Sequence, residues 1–220
     1  MKMIYKTFSI AALAAMLMTL GLAHTVIAAP NSSARIAGEQ LPRLIDLARV
    51  PSGERLPRFI DDEDLLTQAQ AAELTAKLDE ISERHQFDTV VAVVYSLQSG
   101  SLRGREAWLY AVDFFEQNGF GFGSDLDGAI LLIATEDRDF GFASTGFGLK
   151  AFTDAGQEYL EKLFLPHLKE DNYFEAFMTY ADAVDDFVTN AKAGKPYAEG
   201  NIPLTPSERT KYRIWREVRE

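Results

Sequence analysis

Ala129-Ile130-Leu131-Leu132-Ile133-Ala134 is an unbroken apolar run of six residues. Its length suits a strand, and an apolar side chain at every position calls for cover on both faces of a sheet. Glu136-Asp137-Arg138-Asp139 follow as a polar turn and Phe140 to Ser144 as a shorter strand. The two strands are predicted to form a hairpin. Upstream, Thr89-Val90-Val91-Ala92-Val93-Val94-Tyr95 is β-branched and apolar on both faces, a second central strand. Between these strands a helix is predicted over about 104–118, with Ala107, Tyr110, Ala111, Phe114 and Phe115 on its buried side and Gly119 just past its end. A strand–helix–strand passage is a crossover, so 89–95 and 129–134 are expected to be parallel.

Helices flank this unit. Thr67 and Gln70 form a capping box ahead of a stripe of Ala71, Leu74, Leu78, Ile81 and His85. A helix from about Asp154, with Asp154 and Gln157 as its cap pair, is expected to stop near Pro166. The last long helix runs about 173–193. Asn172 caps it, Phe174, Phe177, Met178, Ala181, Val184 and Val188 face inward, and Gly194-Lys195-Pro196 end it. A short helix is expected to start at Thr205-Pro206-Ser207-Glu208. Buried strands with helices between them imply a three-layer α/β/α sandwich around a small mixed β-sheet.

The start of the chain reads as a secretory leader. Lys2 and Lys6 precede an uncharged apolar run from Phe8 to Ala23, and small residues stand before Pro30. We expect a signal peptide over 1–29, an extended lead-in over 30–56, one α/β domain over 57–196 and a C-terminal extension over 197–220. The product is then exported, secreted or held at the cell envelope, and bacterial, since there is no Cys and hence no disulfide. Loss of the leader removes Lys2 and Lys6 and no acid, taking the formal charge from −11 to −13. Such a surface disfavours nucleic acid and anionic lipid and favours cations. No apolar span follows the leader in the chain as given, so the expectation is either a freely secreted protein or a chain that stops before a membrane anchor.

The topology makes one spatial prediction. The start of the 129–134 strand and the end of its hairpin partner share an edge. Asp125 and Asp127 should therefore face Thr145, Gly146 and Gly148, with Asp154 close by. Oxygen ligands of this kind suit Ca²⁺ or Mg²⁺. The same residues also serve as turn and cap residues, and both readings stand. Asp61, Asp62 and Asp64 complement the dipole of the first helix. Arg138, in the hairpin turn, is either a surface ion-pair partner or a phosphate contact, although the turn belongs at the sheet end opposite the glycines. His85 reads as a helix-end packing residue; His24 leaves with the leader, and the two remaining histidines, without Cys, disfavour zinc. Neither a nucleophile elbow nor a P-loop is present.

Phe59-Ile60-Asp61-Asp62, Leu65-Leu66-Thr67, Asp127-Gly128-Ala129-Ile130-Leu131-Leu132, Glu136-Asp137-Arg138, Ser144-Thr145-Gly146-Phe147-Gly148 and Phe152-Thr153-Asp154 together resemble the TPM domain family, known from thylakoid-lumen phosphatase-type proteins and exported bacterial proteins. The resemblance covers about 57–196 and implies an α/β sandwich. For some members it implies a divalent-cation groove, for some plant members a weak acid phosphatase activity, and for others an accessory role without catalysis. Carried over by position, the groove would use Asp62, Asp125, Asp127 and Asp154, with Ca²⁺ or Mg²⁺ bound. Asp127 stands where the family often has Asn. Two functions follow as expectations. One is a cation-binding accessory domain with an envelope or membrane protein as partner. The other is a metal-dependent phosphatase with Asp127 as the candidate catalytic residue.

Overall fold

The computed structural model describes residues 56–98 and 106–203. The expected signal peptide, most of the lead-in and the short helix at 205–208 lie outside the described residues. The element order is β1 (Phe59–Asp61), α1 (Gln68–His85), β2 (Asp88–Val94), α2 (Ala107–Gln117), β3 (Gly128–Ala134), β4 (Asp139–Thr145), α3 (Gly148–Ala151), α4 (Asp154–Lys169) and α5 (Tyr173–Lys192).

The sheet runs β1-β2-β3-β4 in space, with the first three strands parallel and β4 antiparallel to β3. The crossover and the hairpin have the orientations that the sequence implies. Alternation splits the sheet cleanly. Val91, Val93, Ala129, Leu131 and Ile133 face a core built with α1, α3, α4 and α5. Val90, Ala92, Val94, Ile130, Leu132 and Ala134 face a second core under α2. Apolar side chains on both faces thus make a three-layer sandwich, since each face must be removed from water. The first core is aromatic: Phe152 stacks on Phe187 at 5.2 Å, and Phe142 meets Phe152 edge-on at 5.1 Å. On the other face the start of α2 lies directly on β4, where a side chain at Gly141 would run into the backbone of Ala107 and Trp108.

One strand was not anticipated, and three local expectations need correction. β1 is a strand of three residues, too short to show periodicity, and it is held by its register, Phe59 to Val91 and Asp61 to Val93. α4 runs through Pro166 to Lys169. Proline forfeits one backbone bond, but Phe164 is buried and Leu163, Leu165 and Leu168 pack on the core, which holds the last turn together. The cap of α4 is Thr153, whose hydroxyl accepts from the Gly156 N–H, and Asp154 is the first helical residue. Asn172 occupies the N-cap of α5 without a side-chain capping bond. The packed region also passes residue 196. Tyr197 bridges Phe152, its ring lies 4.7 Å from that of Phe187, and Ile202 is buried.

Candidate functional site

Seven residues in each of β2 and β3 separate two edges of the sheet by about 20 Å, at roughly 3.3 Å per residue. The edge where β2 and β3 begin carries Asp88, Gly128 and, through antiparallel register, Thr145. The opposite edge carries the ends of β1, β2 and β3 and the start of β4.

Asp127, Thr145, Gly146 and Gly148 do meet at the first edge. The Asp127 carboxylate accepts the Phe147 N–H at 2.5 Å. The Thr145 hydroxyl donates to the Leu126 carbonyl. Gly146 has φ +56, and a Cβ there would collide with the Asp127 carboxylate and come within 2.6 Å of the Asp125 carbonyl. Asp127 is thereby committed to stapling the turn after β4, and only glycine fits beside it. Asp125 and Asp154 are both exposed, Asp125 two residues before Asp127 and Asp154 as the first residue of α4.

Two predicted partners belong elsewhere. Asp62 follows β1, and its N–H donates to the Val93 carbonyl at 3.3 Å, which places it at the opposite edge. β1 is parallel to β2, so residues after it exit where β2 ends, a full strand length from Asp127. Arg138 sits in the β3–β4 turn with φ +48 and donates to Asp171 at 3.3 Å, far from Thr145, Gly146 and Gly148. The set Asp62, Asp125, Asp127 and Asp154 is therefore not one site. Among the described residues no three His, Asp or Glu side chains form a ready-made metal cage.

The opposite edge gathers charge that the sequence left scattered. The Asp61 carboxylate accepts the N–H groups of Glu63 and Leu66 at 3.3 and 3.1 Å and so shapes the β1–α1 turn. Asp137 accepts the Leu97 N–H at 2.6 Å. Glu136 donates its backbone N–H to the Tyr95 carbonyl at 2.9 Å. Tyr95 is 52% exposed. Its phenol is raised above the ordinary tyrosine range by the charge of Glu136 and a hydrogen bond to it, with Glu63 and Asp137 adding to the effect. On α2, burial raises Tyr110, and the charge of Asp62 adds to it. Carboxylates from the turns after β1 and β3 thus converge on the end of β2. The carboxyl ends of parallel strands are where open α/β sheets commonly bind ligands.

One ionic cluster was missed from sequence. Arg58, buried, donates from Nε to Asp88 at 2.8 Å, from Nη1 to Asp79 at 2.8 Å and from Nη2 to Glu83 at 2.9 Å. Burial works against its charge, but the bonds to Asp79, Asp88 and Glu83 outweigh it and raise the guanidinium. Asp88 is completely buried and also accepts the Gly121 N–H at 2.5 Å. A carboxylate opening a fully buried strand was the available signal, because such a group requires a partner. His85 is a packing residue, buried and 2.6 Å from Asp185 through Nε2.

These features define an α/β sandwich with an acidic edge at the carboxyl ends of its parallel strands. A family model described as the TPM domain matches residues 59–187, more than half of the chain. The chain belongs to the TPM domain family. Among solved structures, it is similar to the N-terminal domain of a protein from P. gingivalis, with 21% identity, TM-score 0.51, and coverage of 64% of this chain and 87% of that one. It is also similar to the BA42 protein of the psychrophilic bacterium Bizionia argentinensis, with 13% identity, TM-score 0.50, and coverage of 66% and 94%. At such identities the likeness speaks for the fold alone. No curated protein sequence matches the chain. Among the described residues no helix is long and apolar enough to cross a membrane.

Proposed function

We propose that this TPM domain is an exported accessory module that captures a cation, Ca²⁺ or Mg²⁺, at the acidic edge where β1, β2 and β3 end, and that it works beside an envelope or membrane protein. One observation carries the reading: the turn after β1, with Glu63, and the turn after β3, with Glu136 and Asp137, both open at the edge where β2 ends, beside the exposed Tyr95. Several carboxylates around an accessible point suit a hard cation with oxygen ligands and water completing its shell. Without a ready-made cage the affinity belongs with weak extracellular sites, about 10⁻⁴–10⁻³ M. The test is calorimetric titration of the purified chain with Ca²⁺ and Mg²⁺. Saturable binding weakened about tenfold by Glu136→Gln with Glu63→Gln, at a cost near 1.4 kcal/mol, and unchanged by Asp125→Asn supports the reading. No binding at millimolar ion, or binding lost only with Asp125→Asn, refutes this assignment.

Arg138 favours a second reading. It lies in the turn beside Glu136 and Asp137, so a guanidinium and a candidate cation position share an edge. That pairing suits a phosphomonoester, whose charge both would neutralise. Metal-dependent hydrolysis of a generic phosphomonoester, abolished by Arg138→Ala, would establish this reading over a purely accessory role.

A further inference from the structure

Three large apolar side chains are exposed among the described residues, and two of them, Leu126 at 41% and Leu149 at 44%, flank one turn. Leu149 donates its N–H to the Gly146 carbonyl at 3.2 Å. The Leu126 carbonyl accepts from Thr145, the residue before Gly146. Leu126 also has φ +54, a left-handed conformation that is costly for a branched side chain and is usual for glycine or asparagine. An exposed leucine held in that geometry gains nothing from burial to offset the strain. Such an outlier points to use of the side chain.

We propose that this Leu126–Leu149 corner is the docking surface for residues 209–219 of the same chain. The chain path brings them together. The Tyr197 carbonyl accepts from Thr153 at 2.5 Å, and Tyr197 bridges Phe152, three residues from Leu149. Ile202 is still buried, so the chain stays packed on the domain five residues beyond the Tyr197 contact with α3 and α4. Six residues lead from Pro203 to Arg209, a reach of up to about 20 Å. The chemistry matches as well. Residues 56–203 hold 11 Lys and Arg against 27 Asp and Glu, a net of −16. Residues 209–219 hold five Lys and Arg against one Glu. Tyr212, Trp215 and Val218 recur at three-residue steps, with Ile214 four before Val218, the spacing of one helical face. Asp125, next to Leu126 in the chain, and Asp154, at the start of α4, are both exposed, and Lys150 is the one cation on α3. Covalent attachment supplies an effective concentration of order millimolar, so a weak intrinsic contact suffices. The surface is at the edge opposite the proposed cation site and does not rest on that reading.

Trp108 and Trp215 are the only tryptophans in the sequence, so Trp108→Phe leaves Trp215 as a local reporter. In that background, Trp215 of the purified full chain is expected to have blue-shifted emission and to resist acrylamide quenching, independently of protein concentration. Leu126→Ser with Leu149→Ser should weaken docking roughly tenfold and expose Trp215, because the apolar area is no longer offered. Both leucines are exposed, so far-UV circular dichroism should be unchanged by the pair. Raised salt should act in the same direction as the substitutions. A Trp215 that is fully quenched in both proteins overturns the proposal, as does protection that survives both serines. Protection that depends on protein concentration assigns the segment to a second copy and overturns the intramolecular contact. Protection that appears only with anionic lipid vesicles assigns it to a membrane surface and does the same.

Discussion

Replacing Arg58 with alanine removes the guanidinium that lies 2.8 Å from a carboxylate with no solvent exposure. Three ion-pair legs are lost, and their weights differ. Asp79 and Glu83 are 50% and 62% exposed, so each leg is worth about 0.2–1 kcal/mol at most. Asp88 is buried, and removing one partner of a buried pair costs about 3–5 kcal/mol, since the remaining charge loses its compensation. Asp88 keeps the Gly121 N–H, which places the expected loss for Arg58→Ala near the lower end, about 3 kcal/mol. For a domain of this size that is a fall in Tm of about 6–12 °C. Asp79→Asn and Glu83→Gln should each cost less than about 1 kcal/mol. Arg58→Lys should fall between them, keeping the charge but losing the three-way fork. Urea unfolding followed by fluorescence, with linear extrapolation, measures all four. The reasoning fails if Arg58→Ala costs under about 1 kcal/mol, or if Asp79→Asn costs as much as Arg58→Ala.

Gly146→Ala should destabilise by about 2 kcal/mol or more in the same assay, through the left-handed backbone and the collision with Asp127. Tyr180→Phe should be neutral or stabilising by up to about 1 kcal/mol, because the buried hydroxyl of Tyr180 has no hydrogen-bond partner among the described residues. Tyr197 is raised to about 12 by burial and by its bond to Asp186. Its contribution is therefore full below an unfolded value of about 10 and is lost as pH rises from there toward the folded value. Thermal unfolding should show a drop in that window that is absent in Tyr197→Phe. Glu136→Gln should lower the Tyr95 phenol toward its ordinary value in an absorbance titration, as the largest source of its shift is removed.

Most of the architecture was legible in the linear sequence because its signals are local. The run 129–134, the 89–95 strand and the α1 capping box each satisfy a pattern that neighbouring residues complete. The buried face of α2 was also read correctly, residue for residue. On α5 two of the three largest buried side chains, Tyr180 and Phe187, escaped notice because that helix is covered across a wide arc by α1, α3 and α4. β1 was missed because three residues carry no period, and its strand character comes from β2. The start of α4 was read correctly but its cap was misassigned by one residue, since Thr153 and Asp154 are both competent caps.

For the site, connectivity alone brought Asp127 to Thr145, Gly146 and Gly148, because a hairpin forces the start of one strand against the end of the next. Asp62 could not be placed that way. Which edge it occupies depends on the direction of β1 against β2, a pairing between segments about thirty residues apart that no local pattern encodes. The same holds for Arg58 and Asp88, and for the carboxylates around Tyr95. By itself, then, the sequence determined the layers, the crossover, the hairpin and the acidic character of the domain, all of which follow from periodicity and composition. Only tertiary structure decided which acids share an edge, which are spent on backbone turns and which stand exposed, because charges on separate segments meet only when the sheet sets its register.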